Sequence, residues 1–581
     1  MKAATKASRP GRVATTAAAL LLLASGAAAA DFVHIEKVDL DVLHAVSFRL
    51  RQPLTVQVDC EGAGDPEHGD LYAYGWILNL QTREVEWRLQ ADEASVGPGA
   101  NRRWNGSIAL PAGTFTAYFA PFTQHYRSVR VLGKEWFRIW IKRDTKTPRD
   151  SKRWHLRLAL AEADDDAVEV LREPPRLADP RRFVDLTPMD DNAFKSRGFR
   201  LPERMQITVY CQGEYADAER GAVDGGWIID AETRKPVWEF GPDNFEDAGG
   251  DTKNKVSRET ITLPAGAYVA AYSTDDSHSQ AGWNAPPPFD PDGWGMILWA
   301  ASDAQARKIS VYEETDDVSR TLVSLVRLGD GVFASQGFTL RRATRLRVYC
   351  LGEYDDNTRG FADAGQIEKF GGDAVWSLSP ANSRHAGGAR KNRVADEIVQ
   401  LGPGDYVVSY STDNSHAYGA WNAAPPREPR RWGITLLATT DLGPDDFKLF
   451  DPDERSEAGK DYLVRMVRMR SNKHERARFT LTAPTRVRVI AVGEGLYNEM
   501  YDYGWIEAVP GGTWVWEMTM RNTRHAGGAD KNRRFDGTLM LDAGTYEAHF
   551  VTDDSHAWND WNQARPKDPD AWGLSIVVAP R

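Results

Sequence analysis

A pentapeptide that occurs three times constrains this chain more than any other feature. Thr274-Asp275-Asp276-Ser277-His278 returns as Thr412-Asp413-Asn414-Ser415-His416 and as Thr552-Asp553-Asp554-Ser555-His556. Each copy is followed by Trp-Asn (Trp283-Asn284, Trp421-Asn422, Trp561-Asn562). Eleven residues after each of those tryptophans comes Trp-Gly (Trp294-Gly295, Trp432-Gly433, Trp572-Gly573). The period of 138–140 residues is too long for a propeller blade or a solenoid coil, so each copy must carry its own core. A fourth, degenerate copy lies N-terminal, where Leu110-Pro111-Ala112-Gly113 matches Leu263-Pro264-Ala265-Gly266. The expected domains are 31–172 (degenerate), 173–315, 316–446 and 447–581. Acidic or proline-rich joins mark the boundaries at Asp164-Asp165-Asp166, Pro174-Pro175 and Asp451-Pro452-Asp453.

Each copy reads as β. In the third, Phe338-Thr339-Leu340, Arg345 to Cys350, Ala374 to Leu378, Asp396 to Leu401, Tyr406 to Thr412 and Gly433 to Ala438 are short runs rich in β-branched and aromatic residues. Gly, Pro, Asn and Asp separate them. Seven or eight strands without a long amphipathic helix predict an all-β chain of four tandem β-sandwich or jelly-roll domains. Cys60, Cys211 and Cys350 each end an equivalent strand, where the last copy has Ala491. Equivalent positions of separate domains do not meet, so they are expected to be small buried side chains rather than disulfide partners or zinc ligands.

Residues 1–30 read as a cleaved secretory leader. Lys2 to Arg12 is basic, Ala17 to Ala24 apolar, and Ala28-Ala29-Ala30 offers a small-residue cleavage site. The apolar run is shorter than the ~20 residues a span needs, and no other stretch could cross a bilayer, so the chain is expected to be periplasmic or secreted. Its 83 Asp and Glu exceed its 72 Lys and Arg, which argues against a phosphate-backbone binder. The 20 tryptophans invite a stacking surface, but fourteen fall into four repeat columns: Trp76/227/505, Trp87/238/376/516, Trp136/294/432/572 and Trp283/421/561. The first three columns lie on or beside strands and read as core; the last begins the long loop and is the ligand candidate.

Lys253 and Asp275 are 22 residues apart, as are Lys391 and Asp413, and Lys531 and Asp553, with each midpoint in a turn at Pro264, Gly402 or Asp542. The flanking strands are expected to form an antiparallel hairpin, so that lysine and aspartate face each other at its open end. A loop of about twenty residues follows, a length usually reserved for function or internal packing. Glu214, Glu353 and Glu494 close the preceding strand, and Asp224, Asp363 and Asp502 open the next. The degenerate copy has Ala63, Ala73, Ala100 and Phe122 at the four polar positions while keeping His125. Joint loss implies one cluster. It reads either as a Ca²⁺ site, with carboxylates from Glu214, Asp224, Asp275 and Asp276, from Glu353, Asp363 and Asp413, and from Glu494, Asp502, Asp553 and Asp554, or as a structural network in which the lysines pin the loop and aspartates cap backbone N–H groups.

Phe338-Thr339-Leu340, Arg347-Val348-Tyr349, a Trp-bearing strand and Leu-Pro-Ala-Gly-x-Tyr together resemble secreted bacterial jelly-roll modules of the pre-peptidase C-terminal type. The resemblance implies a β-sandwich that accompanies secreted enzymes and binds calcium or matrix polymers; no peptidase domain is present. No nucleophile elbow, zincin pattern or Walker loop occurs, and Ser277-His278 are sequence neighbours that point apart on an extended chain. No catalytic residue is assigned. The leading expectation is a non-enzymatic multi-domain binding protein for a protein or polysaccharide partner at the cell envelope, with His278, Trp283, Asn284, His416, Trp421, Asn422, His556, Trp561 and Asn562 as ligand contacts. The alternatives are a structural or assembly envelope protein with a purely structural cluster, and a carbohydrate-active hydrolase or lyase with an interdomain site. The hydrolase alternative requires unequal repeats.

Overall fold

The computed structural model describes residues 31–64, 71–122, 124–131, 134–142, 149–160, 165–217, 221–313, 320–356, 359–440, 442–443, 445–452, 455 and 462–579, with backbone alone over 124–142. Residues 1–30, expected as a leader, and part of the first acidic join lie outside these residues. The chain is all-β, as the repeat pattern predicts, with strands paired antiparallel throughout. The described residues pack as two compact units, one drawn from 31–178 with 249–252 and 283–290, the other from the remainder.

The third repeat shows the design. Its strands are β1 (Thr321–Val326), β2 (Phe333–Leu340), β3 (Thr344–Asp355), β4 (Ala364–Lys369), β5 (Ala374–Ser377), β6 (Asn392–Leu401), β7 (Gly404–Ser411), β8 (Gly433–Ala438) and β9 (Phe447–Phe450). One sheet runs β1-β8-β3-β6 and the other β5-β4-β7-β2-β9. Alternation along β3 explains its burial: Leu346, Val348 and Cys350 are buried in the core while Arg345 and Arg347 point away. Cys60, Cys211 and Cys350 are free and buried, and burial pushes each thiol well up. They are inert core residues, as Ala491 at the same place indicates.

The structure corrects the expected hairpin. β6 and β7 are consecutive in sequence but belong to different sheets, β6 pairing with β3 and β7 with β4 and β2. The same holds for Asn254–Leu263 and Gly266–Ser273, and for Asn532–Leu541 and Gly544–Val551. The turn at Gly402 is therefore an arch over the end of the core, and residues equidistant from it do not face each other. Lysine instead neighbours the strand-closing glutamate, because Asn392 lies opposite Glu353, Asn254 opposite Glu214 and Asn532 opposite Glu494.

A recurring tyrosine closes each arch. Tyr268, Tyr406 and Tyr546 donate their hydroxyls to the carbonyls of Pro264, Gly402 and Asp542 at 3.0, 2.9 and 3.0 Å. Their rings stack on Phe199, Phe338 and Phe479 at 5.4 Å.

In the N-terminal unit the equivalent ring is Phe115, stacked on Phe48 at 5.4 Å, so the packing survives without the hydroxyl. Here the two sheets merge into one of ten strands, because Ala63 and Ala73 pair directly. A hairpin, Gln124–Val131 with Lys134–Lys142, occupies the place of the long loop. Tyr406→Phe should keep the stacked ring and lose one hydrogen bond. We expect about 1 kcal/mol less stability, read as an earlier urea transition with unchanged circular dichroism; an unshifted transition would show that water replaces the bond.

Candidate functional site: the cluster that pins the long loops

One aspartate ties both ends of each long loop. Asp363, fully buried just before β4, accepts the backbone N–H of Asp413 on Oδ1 at 2.8 Å, where the loop begins. Its Oδ2 accepts the indole N–H of Trp432 at 2.9 Å, where the loop ends. Asp224 does the same for Asp275 and Trp294 (2.8 and 3.1 Å), and Asp502 for Asp553 and Trp572 (2.8 and 2.9 Å). Asp275, Asp413 and Asp553 each accept the N–H of the serine two residues on, a local turn that starts the loop.

The histidines are the second pin. His278, His416 and His556 take left-handed backbone conformations (φ +62°, +54° and +50°) and are wholly buried. His416 Nε2 meets Asn392 Oδ1 at 2.6 Å, while Asn392 Nδ2 donates to the carbonyls of Gly387 and Ala424. The amide oxygen therefore faces the ring and the imidazole donates. Asn532 repeats this with His556, Gly527 and Ala564, and Asn254 meets His278 at 2.6 Å. Burial, then the nearby Lys391 and Lys531 charges, push His416 and His556 down to about 3. They are neutral structural donors, poorly suited as a general base. The Gly-Gly pair serves the same packing: a Cβ on Gly388 (φ +63°) would lie 1.9 Å from the Pro425 carbonyl.

The lysines are the third pin. Lys391 Nζ lies 2.8 Å from Glu353 and 2.6 Å from the Asn422 side-chain oxygen. Lys531 binds Glu494 (3.0 Å) and Asn562 (2.7 Å), and Lys253 binds Glu214 (3.0 Å). Ligand-capable atoms of Glu353, Asp363 and Asp413 lie within 4.8 Å of one another, as do those of Glu494, Asp502 and Asp553. The four co-varying positions thus form one cluster in space. Asp276 and Asp554 stand apart from it, exposed, and the equivalent Asn414 donates to the Trp561 carbonyl at 2.9 Å.

The tryptophans that begin the loops are anchors. Trp421 meets His416 and Trp432 edge to face at 5.1 Å each; Trp561, only 5% exposed, meets His556 at 5.1 Å and Trp572 at 4.9 Å. Trp283 packs with the N-terminal unit.

Beyond the anchors the loop tips reach the sheet of the preceding repeat. Trp227 donates its indole N–H to the Arg427 carbonyl at 2.9 Å; Arg427 pairs with Glu239 at 2.8 Å and Glu428 with Arg234 at 2.8 Å. Arg565 donates to the Gly331 carbonyl. Ala564 to Lys567 line a groove with Gln366 and Ser409. Within the N-terminal unit, Trp76 donates to the Phe289 carbonyl at 2.8 Å and Arg83 pairs with Asp290 at 2.6 Å.

Two columns change as a result. Trp76 and Trp227 are buried, as expected of core, and they also hold the incoming loops through their indole N–H groups. The Trp294 column is completed by Trp154 rather than Trp136, since Leu156 pairs with Cys60 as Met296 pairs with Cys211. The inserted hairpin had displaced the eleven-residue spacing. Trp154 donates to Asn101 at 3.2 Å, because the aspartate position is Ala73. His125 falls where side chains are not described. Sequence reasoning missed Asn254, Asn392 and Asn532, although the Lys-Asn dipeptide recurs in all three copies.

Burial, above all, raises the carboxyls of Asp224 and Asp363 well above their ordinary range and Asp502 up to about 8. A carboxyl held more tightly protonated in the folded state stabilises fully below its unfolded pKa of about 4 and loses that contribution as pH rises through its folded pKa. Asp502→Asn should therefore gain on the wild type between pH 4 and 8 and track it above that. A gap in melting temperature that does not vary over this window would show Asp502 to be ionised throughout. No protein-family model matches the sequence, and no curated protein matches it.

Proposed function

We propose that the chain is a non-enzymatic structural or assembly protein of the periplasm or extracellular space, built of four tandem β-sandwich domains behind a cleaved leader. In this reading the acid–lysine cluster serves the fold and the long loops serve the joints between repeats. The observation that carries it is that the charged side chains of the loop and its cluster are bound within the fold. Asp363 closes the loop, Lys391 pairs with one oxygen of Glu353 and with Asn422, and Arg427 and Glu428 hold the second repeat's sheet, while the second oxygen of Glu353 makes no hydrogen bond. A partner at the envelope, whether protein or polysaccharide, would then meet other surfaces. The ammonium group already supplies a positive charge beside the carboxylates, which weakens the case for Ca²⁺.

Two measurements test this. Calcium added to the chelator-treated full chain should leave the melting temperature unchanged, and Asp413→Ala should lower it equally with and without calcium. A rise of several degrees that Asp413→Ala abolishes would establish a calcium site instead. Arg427→Glu, which sets like charge against Glu239, should open residues 421–430 to limited proteolysis without loss of β content. An unchanged digestion pattern would deny the loop its role as a joint.

A further inference from the structure

The fourth repeat is not equivalent to the others on the outer face of its Trp505 sheet. In the second repeat Trp227, Ile229, Val269 and Ala271 form a small apolar cluster there, and Trp227 donates to the next loop. The strand registers place Trp505, Glu507, Glu547 and His549 at the same four positions. The corresponding residues of the first copy are Trp76, Leu78, Thr116 and Tyr118, and of the third Gln366, Glu368, Val407 and Ser409. Only the fourth copy combines two carboxylates with an imidazole.

The two carboxylates face each other on this surface, and the arginines Arg478 and Arg476 relieve only the Glu547 side. Glu507 and Glu547 are directly opposite across two paired strands, a like-charge pairing that destabilises a sheet. His549 sits two residues beyond Glu547 on the same face. Its Nε2 is buried, has no hydrogen-bond partner, and lies 3.6 Å from Glu507 Oε1 and 3.9 Å from Glu547 Oε2; the residue is only 7% exposed. The ligand atoms of all three fall within 4.8 Å of one another. Tetrahedral ligands about 2.0–2.1 Å from a zinc ion stand about 3.4 Å apart, so a contraction of a few tenths of an ångström would close the His549 spacings.

The surroundings suit such a site. The other ring nitrogen, Nδ1, meets His474 Nε2 at 3.2 Å, the outer hydrogen bond that fixes tautomer and ring orientation in metal-binding histidines. Trp505 stacks on the imidazole at 4.6 Å with the rings 2° from parallel, which holds the ring plane. Arg478 takes Glu547 Oε1 at 3.2 Å, leaving Oε2 toward His549, and Arg476 lies 3.9 Å from the same Oε1. Those two cations reduce the negative charge the site offers; the imidazole ligand is what favours a transition-metal ion over a hard one.

We propose that Glu507, Glu547 and His549 form a divalent transition-metal site of zinc type, with three protein ligands and a fourth position for water or a partner group. The site is independent of the loop-pinning clusters. Zinc titrated calorimetrically into the chelator-treated full chain should bind at a site that His549→Ala and Glu507→Gln each weaken at least tenfold, while Asp413→Ala leaves it intact. Cobalt(II) in place of zinc should give visible d–d bands that the same two variants abolish, and copper(II) should quench a fluorescence component that Trp505→Phe removes. Circular dichroism of Glu507→Gln, an isosteric change, checks that the fold persists. Zinc affinity unchanged in both variants, or no saturable zinc binding by the wild type, would overturn the proposal. Either result would leave the structural reading of the loops untouched.

Discussion

A buried aspartate side chain that accepts a backbone N–H on one oxygen and an indole N–H on the other is the contact on which the rest of each complete repeat depends. Asp224, Asp363 and Asp502 fix where a loop of about twenty residues leaves one sheet and re-enters the other. Without that pin the loop would pay its ordering entropy with little in return. With it, histidine, asparagine and lysine hold the loop at further points, and the loop becomes an extension of the sandwich. The degenerate copy shows the converse: where the aspartate is Ala73, Trp154 turns to Asn101, and a regular hairpin replaces the loop.

Burying these polar groups is tolerable because several of them serve more than one partner. Asn392 serves His416, Gly387 and Ala424; Lys391 serves Glu353 and Asn422. Breaking one member leaves others unsatisfied in a low-dielectric setting, where the penalty exceeds the worth of a single bond. This explains why the four polar positions vanish together from the first copy.

Much of this was legible in the sequence. Strand runs, the all-β class, the inert cysteines and the clustering of the four polar positions follow from periodicity and from comparing the chain with itself. The lysine's partner was not legible. Equidistance from a turn implies contact only if the two strands pair, and nothing local to Gly402 distinguishes an arch from a hairpin; the choice is made by β3 and β4, far away in sequence. The joint role of Trp76 and Trp227 was hidden for a related reason, since a tryptophan on a strand looks alike on either face until the neighbour that covers it is placed. Glu507, Glu547 and His549 escaped because aligning repeats on what they share conceals what one copy alone has.

The joints also bear on evolution by duplication. A freshly duplicated repeat could exchange places with its neighbour, but these no longer can. Arg83 holds Asp290 and Arg234 holds Glu428, whereas the third copy has the pair Gly371-Gly372 in this turn and the fourth has Gly512, which keeps the left-handed conformation that Arg83 and Arg234 adopt. Each loop therefore matches the surface it meets: Phe289 lies against Trp76 and Arg88, and Arg427 against Trp227 and Glu239. The repeats are addressed, and a shuffled order would set Arg427 against Arg88. Linear position along the chain is thus written into side-chain chemistry as well as into peptide bonds.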